Sequence, residues 1–277
     1  MNRIEGRYIS LLTDFGFIRI FGTKPNKDLL INFLNSLFEG FQVIKDVKYL
    51  NSEHVGDVFA ERKPIFDVYC ENEKGEKFIV EMQNASIFPI REQAPKGADW
   101  NFKLDHVYIV ALLNFDLEVE AFDKNDINHD VGLLDKKTHK VFNDKLSFKY
   151  VEIAKFDKTE DELVTLYDKW LYVLKNLSRL DERPAALKEK VFTKLFEEAE
   201  IAKFTPTELK EYEDSLKAYR DVKNSIDTAL EKGREEGRAE SKNLKVIQIA
   251  KKMLAAGMDI DTVIKMTDLS KREIEKL

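Results

Sequence analysis

FDVYCENEKGEKFIVEMQ, residues 66–83, decides how this chain is read. Two runs rich in β-branched and aromatic residues flank the polar stretch Asn72-Glu73-Lys74-Gly75-Glu76, a pattern that predicts a β-hairpin. A three-residue loop ending in a left-handed glycine is a common closure. If Glu73, Lys74 and Gly75 form it, Asn72 faces Glu76, Asp67 faces Glu81 and Ile65 faces Gln83. A two-residue Lys74-Gly75 turn would instead slip the register by one and separate Asp67 from Glu81. Side chains alternate across a strand. In the first register one face carries Phe66, Val68, Cys70, Phe78, Val80 and Met82, all apolar. The other carries Asp67, Glu81 and Gln83 beside Ile65, Tyr69 and Ile79.

The apolar face enters a core without polar cost. On the opposite face, directly opposed Cβ atoms lie about 4.5–5.5 Å apart. Two carboxylates that close repel, and one takes up a proton unless a cation intervenes. Mg2+ suits such a pair, because it is typically held by one or two carboxylates plus water and phosphate oxygens. It would lower the pKa of a bound water, polarise a phosphate and steady the leaving oxygen. The amide of Gln83 would orient the water or donate to a phosphate oxygen, without adding charge. Against this stands the plain reading, in which Asp67 and Glu81 are solvated side chains of a half-exposed hairpin.

At these residues the sequence resembles the recombination-promoting nuclease/putative transposase family, a branch of the PD-(D/E)XK nuclease superfamily. The resemblance is carried by TDFGFIRIFG (13–22), NKDLLINFLNSLF (26–38), IFDVYCENEKGEKFIVEMQNA (65–85), FPIREQAPKGADWNFKLDHVYIVALLNF (88–115) and the tail from GREEGRAES onward. It implies an α/β fold: a restriction-endonuclease-like mixed sheet flanked by helices, followed by an α-helical C-terminal region. It implies divalent-metal-dependent DNA cleavage with Mg2+ or Mn2+, hydrolysis of phosphodiester bonds and an association with mobile elements. The superfamily's aspartate falls on Asp67, and its E-x-K falls on Glu81-x-Gln83. Asp67, Glu81 and Gln83 are thus the expected catalytic set, with Asp67 and Glu81 as metal ligands. The competing reading is a catalytically inactive relative that binds DNA or protein. It is favoured by Ile18, where the family usually has lysine, by the short link Asn84-Ala85-Ser86, and by the negative net charge.

Four accessory candidates lie nearby. Asp14 is either a third acid near the metal or a helix N-cap. Arg19 follows Ile18 in the N-terminal motif. Arg91 and Gln93 either touch a phosphate or the metal-bound water, or lie on a solvated helix face. His54, His106, His129 and His139 show no zinc-site spacing and read as surface or edge residues.

Outward from the hairpin, Leu29, Leu30, Phe33, Leu34 and Leu37 recur at helical spacing within residues 24–38. Strands are predicted at 41–50, 106–119, 131–135 and 145–156. After about residue 157 the chain turns helical. Thr159-x-x-Glu162 predicts a helix start, and Thr205-Pro206-Thr207-Glu208 a second. Gly233 and Gly237 suggest a linker or a loosely held helix. The expected organisation is a nuclease-like core over 1–157, a helical region over 158–232, and a linker with a small helix-turn-helix-like tail over 233–277. From residue 241 the tail holds eight basic against five acidic residues. Lys242, Lys245, Lys271 and Arg272 are its DNA-binding candidates, and the alternative is a docking or homo-oligomerisation unit.

The chain has 277 residues, of which 43% are hydrophobic and 35% charged, enough for a real core and against wholesale disorder. A single cysteine, Cys70, excludes an intrachain disulfide and points to the cytosol. The longest apolar run, YIVALL at 108–113, is far short of the roughly 20 residues that cross a bilayer, so no membrane is expected. MNRIEGRYIS lacks an apolar signal-peptide region. The net charge is −6, so a DNA partner must be met by a local basic surface.

Overall fold

The computed structural model describes residues 6–50, 68–82, 105–117, 119, 122–274 and 276. The chain divides into two compact units, Met1–Tyr219 and Arg220–Leu277.

The first unit is built on a mixed sheet whose described strands are β1 (Val47–Tyr49), β2 (Val68–Asn72), β3 (Lys77–Met82), β4 (Val107–Leu113), β5 (Asn128–Leu134) and β6 (Val141–Glu152), in the order β1-β2-β3-β4-β6-β5. The β3–β4 and β4–β6 pairs are parallel, and antiparallel pairs flank them on both sides. The central strand β4 is buried along its whole length, as expected of a continuous apolar run in a parallel sheet.

The two faces of the sheet differ. Val68, Cys70, Phe78, Val80, Met82, Tyr108, Val110 and Leu112 join the main core. They pack with apolar residues of α1 (Asp14–Phe21), α2 (Lys27–Leu37), α3 (Leu166–Asn176) and α4 (Lys190–Glu198). Trp170 is fully buried between Phe21, Phe33 and Phe192, and its indole N–H donates to Asn32 Oδ1 at 2.8 Å. Each such large side chain contributes roughly 1.5–3 kcal/mol on burial. On the opposite face Tyr69, Ile79, Val107, Ile109 and Leu146 form a smaller cluster. The division of the hairpin residues between the two faces is the one that alternation predicts.

Several boundaries move. Residues 41–46, expected as strand, are irregular, because the amide of Asn35 takes both backbone groups of Ile44, at 2.7 and 2.8 Å. The Thr159–Glu162 capping box forms, with Thr159 N–H donating to Glu162 Oε2 at 2.8 Å, but it closes a single 3-10 turn. A second box at Thr165 and Asp168 starts α3. The Thr205–Glu208 box opens α5, a helix that runs Pro206–Ala255 through Gly233 and Gly237.

In the second unit the end of α5 is followed by α6 (Ile260–Thr267) and α7 (Lys271–Ile274). Ala250, Val263, Leu269 and Ile274 form its core. Asp268 takes a left-handed conformation, φ 58°, to end α6, and the Ser270–Glu273 capping box starts α7. No described helix is long and apolar enough to cross a membrane.

Candidate functional site

The β2–β3 hairpin closes as a three-residue loop. Asn72 N–H donates to the Glu76 carbonyl at 2.9 Å, and Gly75 sits at φ +80°. The Asn72 side chain builds the turn from inside, since its Oδ1 accepts from the backbone N–H groups of Lys74 and Glu76, both at 3.0 Å. That closure sets the register as Glu71↔Lys77, Cys70↔Phe78, Tyr69↔Ile79 and Val68↔Val80. The slipped alternative with a two-residue turn does not occur.

Glu81 lies on β3, only 4% exposed, on the sheet face of Ile79 and opposite Ala111 of β4. Burying a carboxylate is costly unless charge or hydrogen bonds compensate it. Asp67 precedes the first residue of β2 and Gln83 follows the last of β3; both lie outside the described residues, as do Arg91, Gln93 and His54. Among the described residues no three His, Cys, Asp or Glu side chains group to hold a metal ion. The donor chemistry of an Asp67–Glu81 pair, carboxylate oxygens alone, fits a hard divalent cation rather than zinc.

Asp14 is the first residue of α1 and is exposed, while the cap is its neighbour Thr13. Thr13 Oγ1 accepts from Gly16 N–H at 3.1 Å and donates to the Ser10 carbonyl at 2.8 Å. Arg19 is held by α4 and α5. Its Nε donates to the Glu198 carbonyl at 3.1 Å, its NH1 group meets Glu208 Oε1 at 2.5 Å, and its guanidinium lies 4.2 Å from the Phe204 ring centre. Ile18 is half-buried.

One cluster escaped the reading of the sequence. His129, expected at a surface or edge, stands on the edge strand β5 but is 7% exposed, with Nε2 2.7 Å from Glu152 Oε1. Lys155 Nζ donates to the same oxygen at 2.8 Å, and Leu117 N–H donates to Glu152 Oε2 at 2.5 Å. Burial would push the fully buried Glu152 carboxyl up, but Lys155, the Leu117 N–H and His129 outweigh it and hold it below the usual range. No local motif announces this group, which exists only because β5 pairs with β6. His106 is half-buried, 2.9 Å from Ser147 Oγ and stacked on Tyr108. Cys70 is fully buried, and burial pushes its thiol up to about 12.

In the second unit Lys242, Lys245, Lys271 and Arg272 are exposed, and none forms an ion pair with a described residue. Glu273, which shares α7 with two of them, is turned back on Ser270, accepting from its N–H at 2.8 Å and its hydroxyl at 2.5 Å.

A family model described as PD-(D/E)XK nuclease family transposase matches residues 11–229. A second, described as the C-terminal HTH domain of the Rpn/YhgA-like nuclease family, matches residues 243–277. No curated protein and no solved structure gives a significant match.

Proposed function

From the premise that the chain belongs to the PD-(D/E)XK nuclease family transposases, and carries the Rpn/YhgA-like C-terminal HTH domain, we propose that it is a divalent-metal-dependent DNA endonuclease. The observation that supports this reading is the hairpin register, Val68 opposite Val80; its continuation by one residue would bring Asp67 opposite Glu81. Asp67 and Glu81 would hold Mg2+ or Mn2+, which when bound supplies Lewis acidity at the phosphate and lowers the pKa of an attacking water. Glu81 is fixed on a strand paired on both sides, so its carboxylate is positioned before substrate arrives. Gln83 would orient the water through its amide oxygen or donate from its NH2 to a phosphate oxygen. The HTH unit would hold duplex DNA through Lys242, Lys245, Lys271 and Arg272, and the setting of this activity would be the cytosol. Homo-oligomerisation through the C-terminal helices is part of the same proposal.

Ile18 favours a second reading, a relative that binds DNA or protein without cutting it, because no cation stands at that position. Nicking of supercoiled plasmid in Mg2+ or Mn2+ separates the two. The expected result is nicking by the wild type and a loss of at least about a hundredfold in Asp67→Ala and in Glu81→Ala. Activity that survives either substitution unchanged rules out this site. A wild type that binds the plasmid and never nicks it establishes the second reading.

A further inference from the structure

The β5–β6 hairpin extends beyond the sheet that holds it. β6 pairs with β4 only from Leu146 to Glu152, so residues 141–145 have β5 as their sole strand partner among the described residues. The end of this ribbon is closed by a fixed turn. Asp135 N–H donates to the Lys140 carbonyl at 2.9 Å, and His139 N–H donates to the Asp135 carbonyl at 2.8 Å. The Asp135 carboxylate is occupied within the turn, accepting from Thr138 N–H and Oγ1, both at 2.6 Å. That leaves Lys136, Lys137 and Lys140 exposed at the tip, none in an ion pair with a described residue. Beside them are apolar side chains left in solvent: Phe142 78% exposed, Val141 65% and Leu134 56%.

In a chain of net charge −6 this is a local excess of positive charge on a narrow, stiff, partly apolar projection. We propose that the β5–β6 arm is a duplex-DNA contact of the nuclease unit, its tip lysines meeting backbone phosphates and Phe142 meeting the groove. The proposal rests on the DNA-cutting reading above. A two-stranded β-ribbon fits the major groove, and phosphates neutralise lysines that have no protein partner. An exposed aromatic beside them makes apolar contact with sugars or bases. Charge complementarity selects the occupant: a second copy meeting arm to arm would bring the same three lysines against these, whereas DNA brings a continuous row of phosphates.

The test is equilibrium binding of the full chain to a fluorescent 30-base-pair duplex without divalent metal, as a function of salt. Lys136→Gln/Lys137→Gln/Lys140→Gln changes only exposed positions. The expected result is a salt slope shallower by about 2.7, at about 0.9 for each phosphate no longer neutralised, and affinity about tenfold lower. The same three-charge change at exposed Lys188, Lys190 and Lys210 is expected to leave the slope unaltered. If the tip variant binds with the wild-type slope while the wild type binds DNA, the arm is overturned and the nuclease reading stands. Failure of the wild type to bind any duplex overturns both. If the tip variant instead loses binding to phosphatidylserine vesicles, or changes sedimentation, with its DNA slope intact, the arm belongs to a membrane or to a second copy, and the proposal falls.

Discussion

Glu81 stands directly opposite Ala111 across the parallel β3–β4 ladder, and Ala111 carries the smallest side chain in a strand of Val, Tyr, Ile and Leu. A methyl at that point leaves room beside the carboxylate. Ala111→Leu is expected to crowd it. Overpacking costs about 1–3 kcal/mol, a fall of several degrees in the unfolding midpoint. On the proposed role of Glu81 as a metal ligand, nicking per folded molecule should drop by at least about tenfold, because small displacements of a catalytic group are heavily penalised. A destabilised but fully active variant would separate Glu81 from the chemistry.

Gly16 is fixed by a close approach. A Cβ at this position would lie 2.1 Å from the Ser10 carbonyl oxygen, a backbone atom that cannot swing away. Gly16→Ala should lower the midpoint by roughly 5–10 °C in a thermal melt followed by circular dichroism. Gly132→Ala, where a Cβ meets nothing within 4 Å, is the control and should shift it by about a degree or two.

Arg19 reports on its own role. Removing its pairing with Glu208 and its stacking on Phe204 by Arg19→Ala should cost about 1–2 kcal/mol of stability in urea titrations. If Arg19 serves packing alone, the nicking rate of the folded variant stays within about twofold of wild type. A loss of tenfold or more at unchanged stability would make it an accessory group of the site.

Glu152 sets an acid limb. Its carboxyl titrates below the ordinary 4.5 when folded, so it takes up protons more readily in the unfolded chain. The stability it contributes is fully present above that ordinary value and is lost as pH falls below it. Urea midpoints measured between about pH 3 and 7 should therefore fall on the acid side in the wild type. They should fall less in Glu152→Gln, which would also be less stable than wild type at pH 7, since it leaves Lys155 without its carboxylate.

The tail makes a prediction in the same currency as any basic DNA contact. Replacing Lys242, Lys245, Lys271 and Arg272 by Gln should make the salt dependence of duplex binding shallower by roughly 3–4. An unaltered slope would assign the unit to docking.

What could be read from the sequence was what depends on near neighbours. Gly75, five residues of polar turn and clean alternation were enough for the hairpin register and both of its faces. The capping box at Thr205 was legible because it is closed by residues three apart. The box at Thr159 misled, since a capping box satisfies N–H groups at any helical turn, and here the helix begins one box later. Residues 41–46 alternate like a strand, but an amide from α2 takes the hydrogen bonds a neighbouring strand would have made. His129 and Glu152 meet only through the β5–β6 ladder, which no local pattern specifies. The Asp67–Glu81 pairing is a proposal, since Asp67 falls outside the described residues.

The sheet joins local hairpins through long-range parallel pairings, and this bears on how the protein is made. β2–β3 and β5–β6 close through short turns, so each can form early and alone. Val107 has to find Lys77, and Leu146 has to find Val107, across much longer separations in sequence. β3 therefore acquires its second neighbour, β4, late, and a nascent or misassembled chain holds a hairpin without the strand beside it. On the proposed reading, a chain that had closed its hairpins but not yet joined β3 to β4 would hold Glu81 without the neighbour that fixes it, and so would not yet cut the DNA around it.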